Sequence, residues 1–293
     1  LVAGQGEVRW YEPMQKHTTI RIGGPAQVWL EPDSEAALGK VVKHCTEKKI
    51  SLTVIGRGSN LLVRDGGLPG VSVNLGKPGL SQIEVVNGKV RAGAGARLKQ
   101  IVAAAKAAGI GGLEFMEGIP GALGGAMRMN AGAMDSWTFE VVEAVRVMDR
   151  TGNVKEVPAA EFEVKYRKVP RLETDIAVGA VLKGTDVKPE EIAEKLKKYS
   201  RKRWDSQPAA PSAGCIFKNA ATIPAGKLID ELGLKDTAVG GARISPVHGN
   251  FIVNQGGAKA ADVLALMDKV RARARAERGI DLEPEVIVLG VDE

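Results

Sequence analysis

Between Gly118 and Gly132 the chain reads Gly-Ile-Pro-Gly-Ala-Leu-Gly-Gly-Ala-Met-Arg-Met-Asn-Ala-Gly, and the chemistry on offer is that of the backbone itself. Glycine has no Cβ, so a stretch this rich in it lets the main chain pass close to a ligand with N–H groups turned outward. A mobile linker would be Gly/Ser-rich and polar; here Ile119, Pro120, Leu123, Met127 and Met129 are interleaved and call for burial. The expectation is a buried, backbone-lined wall for a large ligand, formed by Gly118, Ile119, Pro120, Gly121, Gly124, Gly125, Ala126, Asn130, Gly132 and Ala133. A second segment of the same character is Ile55-Gly56-Arg57-Gly58-Ser59-Asn60, where an apolar run ends in a turn. That turn offers backbone N–H groups, a hydroxyl and an amide to an anion such as a diphosphate. No third glycine opens a helix after Gly58 and no Gly-Lys-Ser/Thr follows, so it is neither a dinucleotide fingerprint nor a P-loop.

The elements that must hold these segments can be read from periodicity and caps. Residues 26–75 read as a compact α/β unit: strand Gln27–Leu30, helix from Asp33 or Ser34 to about Glu47, strand Ser51–Ile55, strand Gly70–Leu75. Asn87-Gly88 predicts a hairpin, Leu98 to Ala108 a helix stopped by Gly109, and Arg150–Asn153 a further hairpin in a sheet expected to be mixed. Residues 189–203 form a helix with acids first and bases last, as the helix dipole prefers. The Pro-punctuated stretch 204–214 is a candidate boundary, followed by helices at 225–232 and 258–278, an extended segment 249–254 and a last strand 285–289.

With 293 residues, 44% hydrophobic and 26% charged, the chain has room for two or three domains with real cores. No apolar stretch approaches the ~20 residues of a membrane span. Leu1-Val-Ala-Gly-Gln-Gly carries no secretory pattern, and a start at Leu points to a natural N-terminus further upstream. Two isolated cysteines fit a reducing cytoplasm, and three histidines leave no basis for a His-rich metal site. Much of the net charge of +6 lies in Lys195 to Arg203, read first as a solvated helix end; Arg201 to Arg203 also suit a multiply phosphorylated small molecule, and with Tyr199 the one aromatic among these bases nucleic acid is the less attractive partner.

Several segments taken together resemble the UDP-N-acetylenolpyruvoylglucosamine reductase family, flavoenzymes of peptidoglycan precursor synthesis. They are Thr18–Ala26, Gly56–Asn60, Gly118–Gly121 with Asn130–Ala133, Tyr166-Arg167, Pro211–Asn219, Ala225–Asp230, His248–Asn254 and Leu282–Val286. Each is weak alone; their ordered co-occurrence is specific. The resemblance implies an α+β chain with a two-domain FAD-binding unit of the vanillyl-alcohol-oxidase/PCMH-like type and a third α/β domain for the substrate. The boundaries implied are 1–75 and 76–204 for the flavin unit and 205–285 for the substrate domain, with a strand at about 286–293 returning to the flavin unit. It also implies noncovalent FAD on the two glycine segments, NADPH as hydride donor, UDP-N-acetylglucosamine enolpyruvate as substrate, and a cytoplasmic monomer.

Within that family hydride passes from NADPH to flavin and then to the enolpyruvyl C3, and a proton must reach C2. The positions matching catalytic ones are Arg167, Cys215 and Glu285. Hydride addition pushes charge toward the substrate carboxylate, which suits the fixed guanidinium fork of Arg167. Glu285, beside an apolar strand, suits a carboxyl that hydrogen-bonds the enol. Cys215 departs from the Ser that many members carry; a thiol is the stronger acid and fills the donor role. Tyr166, Arg203, Lys218, Asn219 and His248 match substrate-lining positions. The absence of a further Tyr between Tyr166 and Arg203 other than Tyr199 implies the type without the substrate-covering Tyr loop. Another FAD oxidoreductase of the same fold, or a basic nucleotide-binding module, stays open on residues alone.

Overall fold

The computed structural model describes residues 4–292; Leu1-Val2-Ala3, part of the stretch read for a secretory pattern, and Glu293, the end of the expected returning strand, lie outside them. Two compact units share the chain. The first takes the chain up to Arg9, Val28–Gly56 and Gly70–Arg203; the second takes Trp10–Gln27, Arg57–Pro69 and the chain from Trp204 onward.

The main sheet of the first unit has the order Val154–Pro158, Val142–Met148, Ile176–Lys183, Lys89–Gly93, Ile83–Val86. Every pairing in it is antiparallel, which corrects the expectation of a mixed sheet. Two of the pairings come from tight hairpins, antiparallel by construction. Val142–Met148 and Lys89–Gly93 do run in one direction, but Ile176–Lys183 is inserted between them and runs against both. That strand is buried at every residue but the last, as a central strand covered on both faces must be. Helices Leu98–Ala107 and Leu123–Arg128 cover it with the fully buried Leu98, Ile101, Leu123 and Met127.

A second core of this unit packs helix Glu35–Glu47, capped by Ser34 Oγ accepting from Ala37 N at 3.2 Å, through Leu38, Val42 and Cys45 against Met148, Ile176 and Val178. Gly39 allows the close approach: a Cβ there would stand 2.9 Å from the Gly152 carbonyl. Arg146 forks onto Glu35 with both bonds at 2.7 Å. Strands Leu52–Ile55 and Leu68–Asn74 pair in parallel, Ile55 opposite Asn74. The last helix of the unit, Pro189–Ser206, runs beyond Arg203 and takes in Trp204 to Ser206, which the sequence places in the boundary segment. Pro208, by disfavouring helical geometry in the residue before it, sets the limit.

In the second unit the sheet Ser212–Cys215, Phe251–Asn254, Ala242–Ile244, Ala238–Val239 is antiparallel throughout. Helices Ala225–Glu231 and Ala260–Arg278 bury Leu228, Ile229, Val263, Leu266 and Val270 with Phe217 and Ile252. Asp65 caps the longer helix from 195 residues away, its Oδ1 accepting from Ala260 N at 2.8 Å. Strand Ile287–Leu289 pairs in parallel with Leu61–Val63. Among the described residues no helix is long and apolar enough to cross a membrane.

Candidate active site

The glycine wall of the first unit is not a continuous irregular segment. A 3-10 turn, Glu114–Gly118, leads into the extended Ile119 to Ala122, the short helix Leu123–Arg128, and then Asn130 in the left-handed region at φ 38. Leu123 and Met127 are buried as expected, Ile119 and Met129 are half-buried, and Pro120, in the segment before the helix, is exposed. Main-chain bonds hold the helix start to the sheet: Leu123 N donates to Ala96 O at 3.0 Å and Gly124 N to Ala94 O at 2.8 Å. Gly124 is then a packing glycine, since a Cβ would meet Ala94 Cβ at 3.0 Å. Gly132 is another, its missing Cβ leaving room for the Trp137 ring. Asn130 accepts from Phe139 N at 3.1 Å through Oδ1, which fixes the return of the chain.

Gly56, Gly118 and Gly125 have neither reason to be glycine. None has a positive φ, and a Cβ would find Ala122 Cβ only at 4.0 Å from Gly56, Ala133 Cβ at 3.9 Å from Gly118, and nothing within 4 Å of Gly125. In a helix, glycine costs about 0.5–1 kcal/mol relative to alanine. Bare backbone with open space before it is the donor set an extended, phosphate-bearing cofactor needs, and FAD fits these residues on that ground. Asn74 sets the edge of this cradle, Nδ2 donating to the carbonyls of Ile55 and Gly56, both at 2.9 Å.

At the far end of the wall the unit gathers Gly132, Trp137, Tyr166 and Arg167. Tyr166-Arg167 forms a two-residue turn, Lys165 N donating to Lys168 O at 2.8 Å and Lys168 N to Lys165 O at 3.3 Å. Arg167 takes φ 58, a strained geometry for a long side chain, of order 1 kcal/mol. Val169, two residues on, donates its N–H to Arg128 O at 3.1 Å and so ties the turn to the wall helix. Arg203, in the last helix of the unit, is half-buried.

The second unit assembles Arg57 to Asn60, Cys215, Lys218, Asn219, His248 and Glu285. Gly58 is forced by packing, its φ being 63 and its missing Cβ lying 2.1 Å from His17 O. Thr19 stitches this turn to the strand of Cys215, its Oγ1 donating to Ser212 O at 2.7 Å and its N to Gly58 O at 3.2 Å. A Cβ on Gly214 would stand 3.7 Å from Ser59 O. Glu285 N donates to the carbonyl of Ile216, the residue that follows Cys215, at 2.7 Å; Asn60 Nδ2 in turn donates to Glu285 O at 3.0 Å. Asn250, 2% exposed, clamps the other side: it accepts from Phe217 N at 2.9 Å and donates to Phe217 O at 2.7 Å.

The remaining candidates are structurally engaged. Lys218 pairs with Glu283 at 3.0 Å, and Asn219 Oδ1 accepts from Ala225 N at 3.0 Å at a helix start. His248 Nδ1 accepts from Asn250 N at 3.1 Å, which leaves the ring proton on Nε2; burial first, then the Lys235 charge, holds the imidazole below the usual histidine range. Sequence reasoning does not reach Trp137 or Asn74 and holds Thr19 and Asn250 only as members of motifs; the partners of all four are brought to them by the fold. Among the described residues no group of three His, Cys, Asp or Glu is placed to hold a metal.

The family model for an FAD binding domain matches residues 26–158, and that for the C-terminal domain of UDP-N-acetylenolpyruvoylglucosamine reductase matches 207–289. The reductase of that name from Heliobacterium modesticaldum is 42% identical over 98% of this chain and 92% of its own length; that from Bacillus subtilis is 38% identical over 97% and 95%. The crystal structure of the Thermus caldophilus reductase superposes with a TM-score of 0.84 at 36% identity, covering 98% of this chain and 99% of that one.

Proposed function

The chain belongs to the UDP-N-acetylenolpyruvoylglucosamine reductase family, and from that premise we propose that it reduces UDP-N-acetylglucosamine enolpyruvate to UDP-N-acetylmuramate with NADPH. FAD, held noncovalently, would supply two-electron hydride chemistry between NADPH and the enolpyruvyl C3. The backbone at Gly56, Gly118 and Gly125 receives the cofactor, supported by the space before these glycines. Residues 1–75 and 76–204 form the flavin-binding pair and 205–285 the substrate domain; the pairing of Ile287–Leu289 with Leu61–Val63 supports a returning strand.

Arg167 binds the substrate carboxylate, where negative charge gathers as C3 receives hydride, and its fork holds the carboxylate in one orientation. Cys215 Sγ gives its proton to C2 and is reprotonated from solvent, while the Glu285 carboxyl hydrogen-bonds the developing enol. The observation that supports this assignment is the main-chain bond from Glu285 N to the carbonyl of Ile216, the residue after Cys215, with Asn60 holding the Glu285 carbonyl and Asn250 holding Phe217. Tyr166, Arg203, Lys218, Asn219 and the neutral His248 line the nucleotide-sugar, and the covering Tyr loop is missing. The enzyme works as a cytoplasmic monomer.

The test is to mix the purified yellow protein with NADPH and UDP-N-acetylglucosamine enolpyruvate. The expected result is loss of the nicotinamide band matched mole for mole by UDP-N-acetylmuramate. Flavin that is reduced by NADPH but never reoxidised by the enolpyruvyl substrate would refute the reading.

A further inference from the structure

We propose that Trp137 is a positioning residue for Arg167, holding its guanidinium at one orientation by stacking; this rests on Arg167 meeting the substrate carboxylate. The guanidinium carbon lies 5.3 Å from the Trp137 ring centroid and 4.8 Å from that of Tyr166, both within cation–π range. The two rings meet edge to face, centroids 5.9 Å apart at 79°. Tyr166 sits on an exposed turn, itself 45% accessible, so it gives the guanidinium little fixed reference. Trp137 is rooted more firmly. Its backbone N–H donates to Glu140 Oε2 at 3.0 Å, and Ser136 and Trp137 pair with Ala133 and Gly132. The next residue, Thr138, donates to Ala131 O through both N and Oγ1, at 2.9 and 2.7 Å. The wall itself is shaped around the indole, since a Cβ on Gly132 would stand 2.2 Å from Trp137 Cε3. The ring therefore transmits the position of the glycine wall to Arg167.

Stopped-flow kinetics of the two half-reactions in the holoenzyme separate this from a purely structural role. Trp137→Leu should slow reoxidation of reduced flavin by the enolpyruvyl substrate about five- to thirty-fold, the upper part of the range a lost cation–π contact spans. NADPH-driven flavin reduction should stay within about twofold of wild type, and Trp137→Phe, which keeps a π face, should recover most of the loss. In an Arg167→Lys background the same Trp137→Leu change should cost less than about twofold further, because the group it positions is already changed. Trp137→Met serves in place of the Leu variant if that one sheds FAD. Unimpaired reoxidation, an equal loss in both half-reactions, or an undiminished effect beside Arg167→Lys would overturn the positioning role. If Arg167→Lys alone leaves reoxidation intact, the assignment of Arg167 fails first, in a variant with Trp137 untouched, and the positioning role falls with it.

Discussion

Along the glycine wall of the first unit, main chain is left uncovered at three glycines that neither φ nor packing requires, whereas around Cys215 in the second unit the main chain is clamped from both sides. Uncovered backbone suits binding: N–H groups hold an extended anion without contributing a titratable group. Clamped backbone suits proton chemistry, because an acid must be held within hydrogen-bond reach of one carbon. The division shows why glycine counts alone mislead. Gly58, Gly124 and Gly132 lie in the same motifs as Gly56 and Gly125, yet their neighbours already account for them.

The largest effect is expected at the clamped corner. Cys215→Ala should leave flavin reduction by NADPH intact and slow substrate-driven reoxidation by about 10²–10⁴-fold, the usual contribution of general acid catalysis. Cys215→Ser should keep substantial turnover. A loss of thermal stability with equal damage to both half-reactions would instead make Cys215 a packing residue. Next comes Arg167→Lys, in which a point-charge ammonium replaces the fork; reoxidation should slow by about ten- to a hundred-fold with flavin reduction preserved. A variant equally slow in both would place Arg167 in folding or flavin binding.

Gly58→Ala breaks the comparison from the structural side. Its Cβ would run into His17 O in a backbone at φ 63, so the apoprotein should lose about 1–3 kcal/mol in a denaturant melt. An apoprotein as stable as wild type would mean the turn has more room than the structure shows. The smallest effect belongs to His248. Its folded pKa is depressed, so the unfolded chain takes up the proton first as pH falls below about 6.5. Stability should therefore decline below that pH and be unaffected above it, and His248→Gln should flatten the decline in melts taken across that range. Equal slopes in both proteins would remove His248 as the source.

Much of this was legible in the residues. The Asn87-Gly88 hairpin, the Ser34 cap and the glycine segments carry local signals, and local signals survive folding. The antiparallel sheet was not, because the insertion of Ile176–Lys183 between two co-directional strands is a long-range choice with no local mark. The roles of Trp137, Asn250 and Asp65 escaped for the same reason. Each is an ordinary residue until the fold brings its partner, in the case of Asp65 from 195 residues away. The open glycines could not be told from the packed ones in sequence, since both are simply glycine.

That distinction is tested most directly at Gly125, by titrating FAD into the apoprotein of Gly125→Val while following its melting temperature. With nothing within 4 Å of the added Cβ, the apoprotein should melt close to wild type, while FAD affinity should fall by about a hundred-fold or more as the side chain enters the cofactor's space. Gly124→Ala in the same assay should lower the melting temperature, because its Cβ presses on Ala94. Wild-type FAD affinity in a well-folded Gly125→Val protein would contradict the account, for it would mean that the uncovered backbone faces no cofactor.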